Sequence, residues 1–116
     1  RDFTYVDDIV EAQLRLLEHI PSKSQDKSAP NISTAPFKIF NIGNSKPVNL
    51  LKFIETIEQK LDKPASKNML PMQPGDVPKT YADVEDLFEL VSFSPKTSLD
   101  KGIEEFINWY KAYYNK

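Results

Sequence analysis

Arg1-Asp2-Phe3-Thr4-Tyr5-Val6-Asp7-Asp8-Ile9-Val10 opens the chain, and the reading of this stretch decides the fold. Phe3 to Val6 is a short β-prone run, and Asp7 or Asp8 supplies the acceptor that caps a helix starting at once. Ile9, Ala12, Leu16 and Ile20 then recur at helical spacing, broadened by Val10, Leu14 and Leu17, until Pro21 stops the pattern. No initiator Met and no charged-then-apolar leader stands before this stretch, so the 116-residue chain is expected to be a piece of a longer protein.

Working outward, residues 22–36 are rich in Ser, Lys, Asn and Pro, with too little apolar surface to offset the entropy of ordering; a flexible loop is expected there. Lys38-Ile39-Phe40-Asn41-Ile42-Gly43 reads as a buried strand running into a turn. A helix follows from near Asn49, with Leu50, Ile54, Ile57 and Leu61 on one face and Pro64 closing it. This strand-turn-helix unit indicates α/β architecture. Met69 to Met72 is a further short strand candidate, after which Pro71, Pro74 and Pro78 force a turning path around Gly75. Asp83 reads as the N-cap of a short helix whose inner side carries Val84, Leu87, Phe88 and Val91. The last helix opens at Thr97 or Ser98 and places Leu99, Ile103, Phe106 and Tyr110 on its inner face.

Composition narrows the function classes. A hydrophobic content of 40% suits one domain over 1–116 with a modest core, burying roughly two thirds of the unfolded chain's surface. The net charge of -2, with both signs interleaved, offers no basic face for nucleic acid and no polybasic segment for a membrane surface. No apolar run approaches the length of a membrane span, and a cytoplasmic location is expected. Zero cysteines remove disulfides, iron-sulfur clusters and thiol nucleophiles. With His19 the only histidine, no metal cluster or Ser-His-Asp triad can be built, so no catalytic and no metal-ligating residue is assigned. Gly43, Gly75 and Gly102 are too dispersed for a phosphate-cradling G-x-G-x-x-G, and no Tyr is followed four residues later by Lys.

Four segments in order carry a resemblance: Arg1 to Asp8, Phe40-Asn41-Ile42-Gly43, Gly75-Asp76-Val77 with Thr80, Ala82 and Asp83, and Phe93 to Ile103 followed by Trp109-Tyr110. Together they resemble the C-terminal portion of NAD-dependent nucleotide-sugar epimerases of the extended short-chain dehydrogenase/reductase type, and Gln73-Pro74-Gly75-Asp76-Val77 points to the bacterial UDP-glucuronate 4-epimerase branch. The resemblance implies a mostly helical substrate-binding lobe of an extended Rossmann-type reductase with a few short strands. It implies that the NAD-binding Rossmann domain and the Tyr/Lys pair lie outside this chain, that NAD binds the parent rather than this piece, and that the parent is a homodimer of capsule or polysaccharide biosynthesis. The implied reaction is oxidation at sugar C4, rotation of the keto sugar and reduction from the opposite face, with the piece inactive alone.

By the same resemblance Arg1 matches the arginine that binds the substrate diphosphate, and Asp76 the acid that accepts ribose hydroxyls. Phe3 and Leu50 match residues that wall the nucleotide, and Thr80 a residue lining the sugar pocket. Gln73 stands where UDP-galactose epimerases place a second phosphate-binding arginine, leaving an amide donor instead of a cation. Two alternatives stay open: another extended reductase acting on a nucleotide sugar (dehydratase, decarboxylase or UDP-glucose 4-epimerase), or a noncatalytic standalone binding module.

Overall fold

The computed structural model describes residues 1–25 and 29–115. Among the described residues four helices carry the structure: α1 (Val6–Leu16), α2 (Leu50–Leu61), α3 (Glu85–Val91) and α4 (Leu99–Tyr114). They pair as α1 on α3 and α2 on α4. The molecule is elongated, with extents of 55 × 35 × 21 Å. Its radius of gyration of 18.1 Å exceeds the roughly 13 Å of a compact domain near this size, so the two pairs do not close over one common core.

The first pair buries Ala12 of α1 and Leu87 and Val91 of α3 together with Phe93, and Leu16, Phe40 and Ile42 pack against this cluster. The run expected to be a buried strand therefore does deliver Phe40 and Ile42 to a core. It forms no ladder, however: among the described residues the extended segments meet only as isolated antiparallel bridges, Ile32 with Lys38 and Asp2 with Pro47. A strand needs a neighbour about 4.8 Å away along its length, and among the described residues only residues 31–32 pair with this run, where Ile39 N–H donates to the Asn31 carbonyl at 2.8 Å. Met69 to Met72 likewise has no bridge partner, and Met69, Leu70 and Met72 are exposed. Within the loop expected at 22–36, residues 26–28 lie outside the described residues; on either side, Ser24 N–H donates to the Ser33 carbonyl at 3.0 Å.

Helix boundaries depart from expectation where tertiary contacts claim the capping groups. Tyr5 is the N-cap of α1, with Asp7 and Asp8 in its first turn. Asp8 Oδ2 instead accepts the Thr97 backbone N–H at 3.0 Å, and both acids still favour the positive end of the helix dipole. The helix ends at Leu16, before Ile20 and Pro21. The helix expected from near Asn49 is α2: Asn49 caps it, accepting from Leu51 N–H at 2.8 Å, and Asp62 in the left-handed conformation ends it. The N-cap of α3 is Val84, one residue beyond Asp83, whose carboxylate accepts from Glu85 N–H at 3.2 Å. Ser98 caps α4 through the Lys101 N–H. The inner face of α4 is Ile103 and Ile107; Phe106, expected inside, is 55% exposed. Gly102 lets Tyr5 lie close, since a Cβ there would stand 3.3 Å from its ring.

Candidate functional site

The site begins with a strap. Arg1 and Val48 exchange backbone hydrogen bonds, each 2.8 Å long, which lay the first residues alongside the segment leading into α2. Asp2 then gathers two further segments. Its carboxylate accepts backbone N–H groups of Ser45 at 3.0 Å, Lys46 at 3.4 Å and Ala82 at 3.3 Å, while its own N–H donates to Thr80 Oγ1 at 2.8 Å. Ser45, held at φ 54, donates its hydroxyl to the Ala82 carbonyl at 2.7 Å. Gly43 is required at this crossing, because a Cβ there would fall 2.4 Å from the Ala82 Cβ. Asn44 N–H completes the knot by donating to Thr4 Oγ1 at 3.1 Å.

The knot fixes where the predicted site residues stand. Arg1 reaches across to the proline-rich turn, where its guanidinium donates to the Asp76 carboxylate and to the Val77 carbonyl. Asp76 sits on that turn by geometry that the sequence requires: Gly75 adopts φ 84, and Asp76 N–H donates to the Gln73 carbonyl at 3.2 Å. Hydrogen bonds thus connect Arg1, Asp76 and the Gln73 carbonyl, while Thr80 is tied to Asp2, the chain neighbour of Arg1. Thr80 lines a polar cleft of about 280 Å³ with Asp2, Asn41, Tyr81 and Ala82. Its hydroxyl oxygen already accepts one bond from Asp2, which leaves the hydroxyl proton, a second lone pair and the methyl group for a ligand.

Leu50 and Phe3 stand apart from this network. Leu50 is the first residue of α2, 57% exposed, two residues beyond the Val48 that pairs with Arg1. Phe3 stacks on Phe53 of α2 with ring centroids 4.1 Å apart. Both rings line a separate apolar cavity of about 250 Å³ between the strap, α2 and α4, together with Ile57, Leu99, Ile103 and Phe106. Tyr5 also faces it, and burial, followed by the Asp7 and Glu105 charges, pushes the Tyr5 hydroxyl pKa above its ordinary value. This cavity is more enclosed than the polar cleft but offers little polar chemistry; the groups suited to a charged ligand converge at Arg1, Asp76 and Thr80.

Sequence reasoning missed Asp2, Ser45 and Asn41. Asp2 stood beside the favoured arginine in the opening motif, but its acceptors' partners are 43 to 80 residues away and carry no local pattern. Among the described residues there is no group of three or more His, Asp or Glu side chains able to hold a metal.

No family model matches the chain. Among curated proteins, the protein CapI of Staphylococcus aureus is 51% identical over 120 residues, an alignment that takes in 100% of this chain and 36% of that protein. A probable UDP-glucuronate 4-epimerase of Rhizobium meliloti (strain 1021) is 43% identical over 122 residues, again with 100% of this chain and 36% of the relative. Among solved structures, a UDP-glucuronic acid 4-epimerase from Bacillus cereus, in complex with UDP-glucuronic acid and NAD, superposes with a TM-score of 0.74 at 30% identity, over 98% of this chain and 32% of that one. The chain therefore spans 36% of the length of each of these two curated relatives, and its helical arrangement is that of a portion of an extended Rossmann-type epimerase. In sequence and in fold, the chain is similar to a portion of the UDP-glucuronate 4-epimerase-like nucleotide-sugar epimerases.

Proposed function

We propose that this chain is the nucleotide-sugar-binding, C-terminal lobe of an NAD-dependent UDP-glucuronate 4-epimerase of the extended short-chain reductase type, a single substrate-binding domain over 1–116. The observation that carries the reading is the meeting of Arg1 with Asp76, 75 residues apart in sequence, on a turn that also holds Gln73 and leads into Thr80. A planar cation beside a carboxylate on a glycine turn is the donor and acceptor set that a nucleoside diphosphate requires, phosphate oxygens at the guanidinium and ribose hydroxyls at the acid. Leu50 and Phe3 wall the base, Gln73 adds an amide donor toward the phosphates, and the Thr80 cleft receives the sugar. The chain binds and orients; no step of the redox chemistry is assigned to its residues.

NAD does not fit the residues present. A dinucleotide needs a glycine turn opening a helix, and the N-caps here are Tyr5, Asn49, Val84 and Ser98. The Bacillus cereus relative was solved with NAD, which in the proposed parent would be held by a Rossmann domain outside this chain. That domain, a second copy of the parent and the UDP-sugar are the proposed partners, and synthesis of a capsule or other surface polysaccharide in the cytoplasm is the proposed setting. Among the described residues no helix is long and apolar enough to cross a membrane.

The test is an NMR titration with UDP-glucuronate, UDP-glucose and UDP, following the amides of Leu50, Asp76 and Thr80. Saturable shifts are expected with all three, largest for UDP-glucuronate. If none of the three nucleotides moved these amides, nucleotide binding by this chain would be ruled out. Equal shifts for UDP-glucuronate and UDP-glucose would move recognition of the sugar acid elsewhere in the parent.

A further inference from the structure

Arg1 and Asp76, to which the proposed function gives opposite ends of one ligand, are here bonded to each other. Arg1 is further engaged by the Val77 carbonyl. Asp76 is fixed from its own side, its Oδ1 also accepting from Val77 N–H at 2.9 Å. The pair is accessible, with side chains 35% and 48% exposed, so a ligand can reach and open it. Opening an exposed pair of this kind lowers the affinity of a competing ligand by about two- to fivefold.

Resting on the nucleotide-sugar reading, we infer that Asp76 is a specificity-determining residue that guards Arg1. A nucleoside diphosphate carries both groups needed for an exchange: its phosphate replaces Asp76 at the guanidinium, and its vicinal diol replaces the guanidinium at the carboxylate. Inorganic pyrophosphate carries only the anion. It must break the pair, and it then faces the unpaired Asp76 charge. The same carboxylate that recognises ribose thereby rejects free phosphates at the phosphate subsite.

The sign of the response tests this. Phosphorus NMR titrations would compare the unmodified chain with Asp76→Asn and Asp76→Ala, using UDP and inorganic pyrophosphate as separate probes. Asp76→Asn keeps an oxygen for the Val77 N–H while removing the charge. It is expected to bind pyrophosphate about threefold tighter or more, and UDP about tenfold weaker. A loosened turn would weaken both ligands, so only a released Arg1 produces opposite signs. Pyrophosphate affinity that stays level or falls in both Asp76 variants would overturn the inference. If pyrophosphate tightened as expected while UDP failed to bind the unmodified chain, the guard on Arg1 would stand and the nucleotide reading would fall.

Discussion

The α1–α3 pair and the strap around Asp2 are held together by opposite means. The pair buries Ala12, Leu87, Val91 and Phe93 in a small apolar cluster, contacts that are nondirectional and strong in sum. The strap has no such cluster; three backbone N–H groups converge on one carboxylate, and a threonine hydroxyl takes the N–H of the same residue. An apolar cluster sets which elements touch, whereas hydrogen bonds from fixed backbone groups set where atoms stand to within a few tenths of an ångström. The half that must present Arg1 and Asp76 to a ligand is the half built by direction rather than by burial.

The largest expected effect tests the first half of this contrast. Leu87 is fully buried, and Leu87→Ala should cost about 2–5 kcal/mol of unfolding free energy in urea denaturation, through lost transfer energy and the cavity left behind. The folded fraction should keep its UDP affinity, because no site residue belongs to that cluster. A loss below about 1 kcal/mol would mean that the pair collapses around the gap and is not a packed core.

Asp2 tests the second half. Asp2→Ala leaves the Ser45, Lys46 and Ala82 N–H groups without their acceptor, an expected cost of about 1–3 kcal/mol, smaller than that of Leu87→Ala in the same assay. Its effect on UDP binding should nevertheless be the greater, since Arg1 and Thr80 are the neighbours it positions. Asp2→Asn should recover most of that binding: one amide oxygen at the Oδ2 position still serves both Ser45 and Ala82. If Asp2→Ala bound UDP as well as the unmodified chain, the knot would be a fastening with no part in recognition.

The same contrast explains what was legible in the sequence. Helices α2 and α4 could be read closely, the first from near Asn49 and the second from Thr97 or Ser98, because start signals and periodicity are local. Rows three and four residues apart are hard to separate from sequence, and here Ile107 is buried while Phe106 is exposed. Asp7 and Asp8 have the right chemistry to cap α1, yet Asp8 is taken by Thr97, 89 residues away. In the candidate site, Arg1, Asp76 and Thr80 stood out only through motifs matched to a family. Nothing local in the chain tells that the first two meet, or that Asp2 ties three segments at one carboxylate.

The smallest effect belongs to the ion pairs that join α2 to α4, a surface counterpart to the knot with the same chemistry and no shared burial. Lys60 Nζ lies 2.8 Å from Asp100 Oδ2 and 3.9 Å from Glu104 Oε1. The hydrogen bond to Asp100, ahead of the other influences, raises the Lys60 pKa above its ordinary value of 10.5. A raised pKa in the folded state means a contribution fully present below 10.5 and lost as pH climbs through the folded value. Glu58 has the opposite sign: its hydrogen bonds from Lys67 and the Ala65 N–H lower its pKa below 4.5, so its contribution is present above that value and fades as pH falls through the folded one. Lys60→Met should therefore lower the thermal midpoint slightly at neutral pH, with the deficit shrinking on the alkaline side as Lys60 gives up its proton. A deficit that stayed constant through the alkaline limb would trace the loss to the packed lysine stem rather than its charge, and would move this contact from the directional half of the molecule to the apolar one.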